Sequence, residues 1–193
     1  MTGRSTETMD NPENQADAIV IRDLESLHPA DGVLKIPELV VAAGERVCIQ
    51  GSNGSGKTSL LRALTGLLGQ YSGKLQVLGN ELMAIHSSKL ERMRAEQVGF
   101  IFQHYRLVPY LSAYDNILLP CYFSERRRKA AAARAGSEAE DAFRLIRQLS
   151  LRDPSRLSKN ASEYSAGQQQ RFAIARALIG RPALVLADEP ASA

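Results

Sequence analysis

Eight residues with the sequence GSNGSGKT, from Gly51 to Thr58, match the pattern G-x-x-x-x-G-K-[ST]. Glycines let successive backbone N–H groups turn inward around a phosphate without a clash from Cβ. The helix expected to follow presents its positive N-terminus to the same anion. In this pattern Lys57 reaches the β- and γ-phosphates, and the Thr58 hydroxyl is suited to coordinate Mg²⁺. The stretch therefore predicts a site for ATP or GTP.

A second group of chemically active residues lies in VLADEPASA, the last nine residues of the sequence. When an apolar strand ends in Asp beside a phosphate-binding loop, the carboxylate supplies a contact to Mg²⁺. We therefore expect Asp188 to take that role. Glu189 projects beyond the strand end, where it is expected to orient and deprotonate the water that attacks the γ-phosphate. The alternative is an acid pair that faces solvent.

Three strands are predicted before the loop, AIVIRDL, GVLKIPELVV and ERVCIQ, and the last is expected to be buried and to lead into it. After the loop, SLLRALTGLLG predicts a helix that Gly69 caps. Its apolar face comprises Leu60, Leu61, Leu64, Leu67 and Leu68.

The rest of the chain alternates further strands and helices. SGKLQVLGNEL predicts a hairpin arm, and AEQVGFIFQ predicts a buried strand. Residues 130–151 predict helix that breaks at Gly136 and restarts at a capping box of Ser137 and Glu140. SAGQQQRFAIARALIG predicts a helix and ALVLA a strand. This order favours an α/β fold with a mostly parallel sheet and flanking helices, in which residues 105–163 form a helical insert.

Composition excludes several classes of protein. The chain has 193 residues, 44% hydrophobic and 23% charged, as ordinary globular proteins do. Cys48 and Cys121 have no spacing typical of a disulfide framework or a zinc site. Residues 1–17 are polar and are predicted to be a disordered leader rather than a signal peptide. No apolar run approaches the length of a membrane span, so we expect a cytoplasmic chain.

The pI of about 9.0 raises the question of nucleic-acid binding. Basic residues concentrate in ERRRKAAAAR, at positions 125–134, which is interpreted first as an exposed, solvated helix face. A surface near anionic lipid or acidic loops of a partner is the second interpretation. Nucleic-acid binding comes last because no aromatic residues are interleaved.

Four further stretches resemble motifs of the ATP-binding-cassette (ABC) ATPases. YSAGQQQRFAIARAL, from Tyr164, is similar to the LSGGQ signature and its helix, and GFIFQHYRLVPYLSAYDNILLP resembles the Q-loop with Gln103 as its glutamine. LADEPASA resembles the Walker B strand and the start of the D-loop, and SLHPADG has His28 at the place of an adenine-stacking aromatic. The residues of the Q-loop, and their spacing to the signature, are most similar to those of the lipoprotein-releasing and macrolide-export group. The resemblance covers residues 18–193 and implies a P-loop NTPase core with an antiparallel β arm.

The resemblance implies a role for each matching residue. Gln103 is expected to touch Mg²⁺ or the attacking water, although a solvated amide at a strand end is the simpler alternative. The signature is expected to contact ATP held by the other subunit of a dimer, although Ser165 and Gln168 also make an ordinary capping box. Tyr164 and Ala166 depart from the family pattern, and we expect both to be tolerated. The expected ATP-binding residues are Gly51, Ser52, Asn53, Gly54, Ser55, Gly56, Lys57, Thr58, Ser59 and His28. The expected signature residues are Ser165, Ala166, Gly167 and Gln168, and the expected metal contacts are Thr58, Gln103 and Asp188.

The preferred interpretation is an ATP-hydrolysing transporter subunit that acts as a dimer on the inner face of the membrane. Separate permease subunits are expected to dock near residues 105–128. A soluble ABC ATPase of DNA repair or translation is the alternative, and a nucleotide-binding fragment is a third. The resemblance implies a further core strand and a switch histidine after Walker B, whereas the three histidines (His28, His86 and His104) all precede it. We therefore expect a truncated subunit that hydrolyses ATP barely above background and tends to aggregate.

Overall fold

A computed structural model describes residues 17–28, 32–151 and 157–189. Its strands are β1 (Asp17–His28), β2 (Gly32–Ala42), β3 (Tyr71–Val77), β4 (Asn80–Glu81), β5 (Val98–Ile101) and β6 (Leu184–Ala187). Its α-helices are α1 (Lys57–Leu64), α2 (Ser87–Gln97), α3 (Ala113–Phe123), α4 (Glu125–Ala135), α5 (Glu138–Gln148) and α6 (Ala166–Leu178). A 3₁₀ turn covers Ala161–Glu163. The predicted polar leader falls almost wholly outside the described residues.

Two sheets organise the α/β fold. The first is antiparallel, in the order β2-β1-β3-β4, and contains the predicted hairpin arm. The second pairs β5 with β6 in parallel, so that Val98 lies opposite Leu184 and Ile101 opposite Ala187. Apolar residues of both sheets pack around α1 and α2 into one core. This core supports the start of α1 and the ends of β5 and β6, where the predicted chemistry lies.

The prediction of a buried strand in ERVCIQ is wrong for the described structure. Residues 45–50 form no strand, and Val47 and Ile49 remain 48% and 42% exposed. A parallel strand is stabilised by ladder hydrogen bonds on a buried sheet. This segment instead borders an open groove of about 440 Å³ beside β6, so its apolar composition alone does not make it a strand.

The helix after the loop is shorter than predicted. It ends at Leu64, because Gly66 adopts the left-handed conformation with φ of 68°. The Gly66 and Leu67 amides donate to the carbonyls of Ala63 and Arg62, which is the Schellman pattern of helix termination. Gly69 is therefore not the cap, and Leu67 is exposed rather than part of the buried face.

Helices α3, α4, α5 and α6 pack into a second core, which we term the helical lobe (residues 105–151 and 157–179). The predicted break at Gly136 is confirmed by its φ of 95°. The predicted restart is confirmed by the Ser137 hydroxyl, which accepts from the Glu140 amide at 3.1 Å. Among the described helices, none is long and apolar enough to cross a membrane.

The sequence predicted that the whole basic run at the start of α4 is exposed, but the structure buries one of its arginines. Arg127 is only 1% exposed. Its guanidinium donates to the carbonyls of Val98 at 2.8 Å and Ile179 at 3.1 Å. Burial lowers the pKa of Arg127 to about 10. One member of the run thus joins α4 to β5 and to the end of α6, while its neighbours face solvent.

Candidate nucleotide-binding site

The loop of residues 51–56 enters α1 through two left-handed glycines. Gly54 has φ of 79° and Gly56, the residue that caps α1, has φ of 91°. A side chain would be strained at either position, which explains glycine there. The ammonium of Lys57 donates to the carbonyls of Gly51 at 2.8 Å and Ser52 at 3.0 Å. The lysine is thereby held over the loop at the helix N-terminus.

The second functional group of the loop meets the end of β6. The Thr58 hydroxyl donates to the Asp188 carboxylate at 3.0 Å. The Asp188 amide donates to the Ile101 carbonyl at 2.9 Å, which continues the ladder between β5 and β6. The carboxylate is therefore fixed by the parallel sheet although it lies 130 positions from the threonine.

The next two predicted residues also meet. The Gln103 side-chain amide donates to the Glu189 carboxylate at 3.0 Å. Both residues belong to a polar cavity of about 400 Å³. Its lining residues are Asn53, Gly54, Gly56, Lys57, Thr58, Ser59, Gln103 and Glu189. Gly51, Ser52 and Ser55 support the loop from outside this lining, and Ser55 closes a turn onto the Ser52 carbonyl.

The polar atoms at this site fit Mg²⁺. The Thr58 hydroxyl, the Asp188 carboxylate and the Gln103 amide offer the oxygen ligands that this ion prefers. No cluster of three or more His, Cys, Asp and Glu residues occurs in the described parts of the chain. Mg²⁺ is usually held by one or two carboxylates together with phosphates and water.

The predicted signature lies elsewhere, on the helical lobe. Ser165 caps α6, and its side chain and that of Gln168 make a reciprocal capping box. Gly167 faces open space, and the ring of Tyr164 packs edge-on against Phe172 with centroids 4.8 Å apart. None of residues 165–168 lines the cavity of its own chain. Tyr164 therefore packs against the apolar side of α6.

His28 ends β1, but its side chain lies outside what the structure describes. The prediction that it stacks on adenine stays a prediction.

One residue that sequence reasoning missed is Arg176 of α6. Its two terminal nitrogens donate to the carbonyls of Arg106 at 2.7 Å and Tyr105 at 2.6 Å, which follow Gln103 by three and two positions. Burial lowers the pKa of Arg176. The sequence feature that could have drawn attention to Arg176 is its place as the one charged residue in the apolar run FAIARALI.

A phosphate-binding loop, with a lysine and a threonine that meets an aspartate from a neighbouring strand end, defines a P-loop nucleoside triphosphatase. Within that class, the family model described as ABC transporter matches residues 34–192. The chain belongs to the ABC transporter family. Within that family it resembles ATP-binding proteins of the lipoprotein-releasing and macrolide-export group.

The individual relatives agree with the family. The chain is 41% identical to the lipoprotein-releasing system ATP-binding protein LolD of Porphyromonas gingivalis, over 82% of this chain and 68% of the relative. It is 43% identical to LolD 2 of Rhodospirillum rubrum, over 83% and 66%. It is 44% identical to the macrolide export ATP-binding/permease protein MacB 1 of Aeromonas hydrophila, over 83% and 24%. The chain thus spans about two thirds of the LolD relatives and about a quarter of MacB.

Solved structures support the same fold. The dimeric structure of MJ0796, a bacterial ABC transporter cassette, has a TM-score of 0.72 and 27% identity, over 89% of this chain and 74% of that one. A post-hydrolysis structure of the same cassette, bound to ADP and Pi, has a TM-score of 0.63 and 25% identity, over 91% and 75%.

Proposed function

We propose that this subunit binds Mg-ATP at residues 51–59 and hydrolyses it with Glu189 as general base, within a dimer that drives separate membrane subunits. One observation carries the proposal: Thr58, Gln103 and Glu189 line one polar cavity, and Asp188 accepts a hydrogen bond from Thr58 at its edge. The two pairs come from the loop, the strand ends and the Q-loop, so the site requires the whole α/β core.

Each residue has a chemical task in this proposal. The loop amides and the N-terminus of α1 bind the phosphates, and Lys57 moves its ammonium from the loop carbonyls to phosphate oxygens. Gln103 and Glu189 orient the attacking water, and Glu189 accepts its proton. Thr58 and Asp188 hold the metal, which neutralises charge on the phosphates when bound.

The signature is proposed to act on a second copy of the subunit. Residues 165–168 do not line the cavity of their own chain, and the cassette relative MJ0796 is dimeric. The capped N-terminus of α6 carries the positive end of a helix dipole, and Gly167 leaves it open to approach. These features suit a γ-phosphate presented by the partner.

The membrane subunits are proposed to dock at an apolar groove of about 440 Å³ between α2, α3, β5 and α6. Phe100, Phe102, Leu119 and Phe123 line it, and Phe123 is 77% exposed. Large exposed apolar residues at a groove mark an interaction surface. Three arginines (Arg94, Arg127 and Arg176) and one acidic residue (Glu91) also line it, so the proposed occupant is a short cytoplasmic segment with apolar and acidic residues. This arrangement holds the subunit at the inner face of the membrane.

Nucleotide titration tests the site. We expect Lys57→Ala to remove most of the affinity for a fluorescent ATP analogue with Mg²⁺, because it deletes the charge that faces the phosphates. Lys89→Ala is the matched control, since Lys89 is exposed on α2 and outside the cavity lining. Equal affinities for the Lys57→Ala and unmodified forms would refute the site. Glu189→Gln should retain binding and lower turnover about 10²–10⁴-fold.

Crosslinking in intact membranes tests the partner. A photocrosslinker at Phe123 should reach a loop of the membrane subunit, whereas one at the exposed Val33 of β2 should not. Crosslinks from Phe123 to nucleic acid or ribosomes alone would favour the soluble ATPase interpretation instead.

A further inference from the structure

The backbone two and three positions after Gln103 has an unusual conformation. Tyr105 and Arg106 have φ of 55° and 48°, so two successive residues other than glycine occupy the left-handed region. Bulky side chains rarely adopt it, and such residues persist only when their surroundings hold them. Strain of this kind concentrates at functional sites and switch regions.

A single side chain holds both residues. The guanidinium of Arg176 donates from one terminal nitrogen to the Tyr105 carbonyl and from the other to the Arg106 carbonyl. A planar fork with two parallel donors fixes both the position and the orientation of the carbonyls, which a lysine ammonium does not reproduce. Arg176 is partly buried, and α6 is capped at Ser165, so the fork projects from a rigid helix.

The clamped segment is continuous with the nucleotide site. The Tyr105 amide donates to the Phe102 carbonyl at 3.0 Å, which closes a tight turn around Gln103. Gln103 in turn donates to Glu189, and both side chains line the cavity. The chain of contacts therefore runs from Arg176 through the Tyr105 backbone and Gln103 to Glu189.

We propose that Arg176 is a positioning residue, which sets Gln103 against Glu189 by holding the backbone of Tyr105 and Arg106 in the left-handed conformation. Because α6 begins at Ser165, the same helix carries the signature at one end and this clamp near the other. A displacement of the signature by the partner's nucleotide is thereby transmitted to Gln103. This inference rests on the proposed function, because it assigns a control of turnover to a site that binds and hydrolyses ATP.

Steady-state kinetics of the intact natural subunit provide the test. Arg176→Lys and Arg176→Gln should lower kcat on the order of 10- to 100-fold, as misplaced catalytic groups do. KM and Kd for ATP should change less than about threefold, because Lys57 and the loop remain intact. Arg171→Lys is the matched control, since Arg171 lies on the exposed face of the same helix and donates to the Ser150 carbonyl at 3.4 Å. Its kcat should equal that of the unmodified subunit.

A rescue experiment separates positioning from general packing. Glycine adopts the left-handed region without strain. Arg106→Gly, at an exposed side chain, should therefore restore kcat of the Arg176→Lys form at least about fivefold. A packing defect would not be repaired by removing a side chain from the opposite segment.

Three kinetic outcomes, and one outcome of folding, overturn the proposal. The kinetic outcomes are an unchanged kcat in Arg176→Lys, a raised KM with unchanged kcat, and failure of Arg106→Gly to restore kcat. If both Arg176 variants fail to fold and Arg106→Gly does not restore folding, Arg176 only stabilises the lobe and the proposal is wrong. A loss of ATP binding by the unmodified subunit contradicts the proposed function rather than this inference.

Discussion

The nucleotide-binding site and the helical lobe use polar side chains in opposite ways. At the site, Thr58 donates to Asp188 and Gln103 donates to Glu189 through hydrogen bonds in exposed surroundings. In the lobe, the fully buried Asp141 accepts from Arg134 through two nitrogens, at 2.9 and 2.6 Å, and from Arg144 at 3.0 Å.

The difference separates an adaptable region from a rigid one. Exposed polar pairs contribute little to stability and exchange readily for a ligand. A buried carboxylate with several charged donors is costly to disturb, because each partner would be left unpaired at low dielectric. The lobe can therefore move as a unit, and the clamp at Arg176 connects it to the adaptable site through the backbone of Tyr105 and Arg106, which follow Gln103 by two and three positions.

The largest expected effect compares two aspartates. Asp141→Asn removes the charge that pairs with two guanidiniums about three-quarters buried, so we expect the free energy of unfolding to fall by about 3 kcal/mol. Asp188→Asn changes an exposed pair and should cost less than about 1 kcal/mol. Urea denaturation followed by circular dichroism measures both.

Functional assays should reverse that order. Asp188→Asn should weaken Mg²⁺-dependent ATP binding, while Asp141→Asn, below its unfolding transition, should bind normally. Equal losses of stability in the two variants would contradict the division into a rigid lobe and an adaptable site.

Most residues of the proposed nucleotide site could be named from the sequence because the information for them is local. The loop from Gly51 to Thr58 carries its geometry in its glycines, and Asp188 and Glu189 follow a recognisable apolar strand. Gln103 needed the family resemblance, since an isolated glutamine at a strand end has no chemical signature of its own. The contacts of Thr58 with Asp188 and of Gln103 with Glu189 then follow from the two parallel strand ends.

Features that depend on tertiary contacts were not predictable. Arg127 was assigned to a solvated face because its neighbours in ERRRK are charged, but its burial depends on carbonyls about 30 and 50 positions away. Arg176 was missed for the same reason. The apolar segment 46–50 was wrongly assigned to a strand. The pattern of apolar residues indicates which side chains favour burial, but it does not show whether the backbone has the hydrogen-bond partners that a strand requires.

A second comparison uses the cysteines, one in each region. Cys48 is exposed beside the loop, whereas Cys121 is buried in the lobe, and burial raises its pKa from 9.0 to about 11. At pH 8 only about 0.1% of Cys121 is then thiolate, the reactive form. We expect Cys48 to react with a thiol reagent at least about 100-fold faster than Cys121, and both to react equally in denaturant.

The raised pKa also predicts how stability depends on pH. The folded chain retains the Cys121 proton up to about pH 11, whereas the unfolded chain loses it near pH 9. Stability from this group is therefore complete below pH 9 and is lost as pH rises from about 9 to 11. Cys121→Ala should flatten this part of the stability profile. An unchanged slope in that variant would show that another group titrates there.

The smallest expected effect concerns two helix caps with the same local chemistry. Ser165 begins α6 at the proposed partner interface, and Ser137 begins α5 inside the lobe; each hydroxyl accepts from the amide three residues on. Replacement by alanine should lower the free energy of unfolding by about 1 kcal/mol in either case, because one amide of the first turn loses its acceptor. Only Ser165→Ala should also slow ATP turnover, since only that cap begins the helix whose terminus we propose to face the partner's nucleotide. Chemical denaturation and phosphate release on the dimer measure the two effects separately. If Ser137→Ala slowed turnover as much as Ser165→Ala, turnover would depend on the stability of the lobe as a whole, and the signature would have no separate contact with the nucleotide.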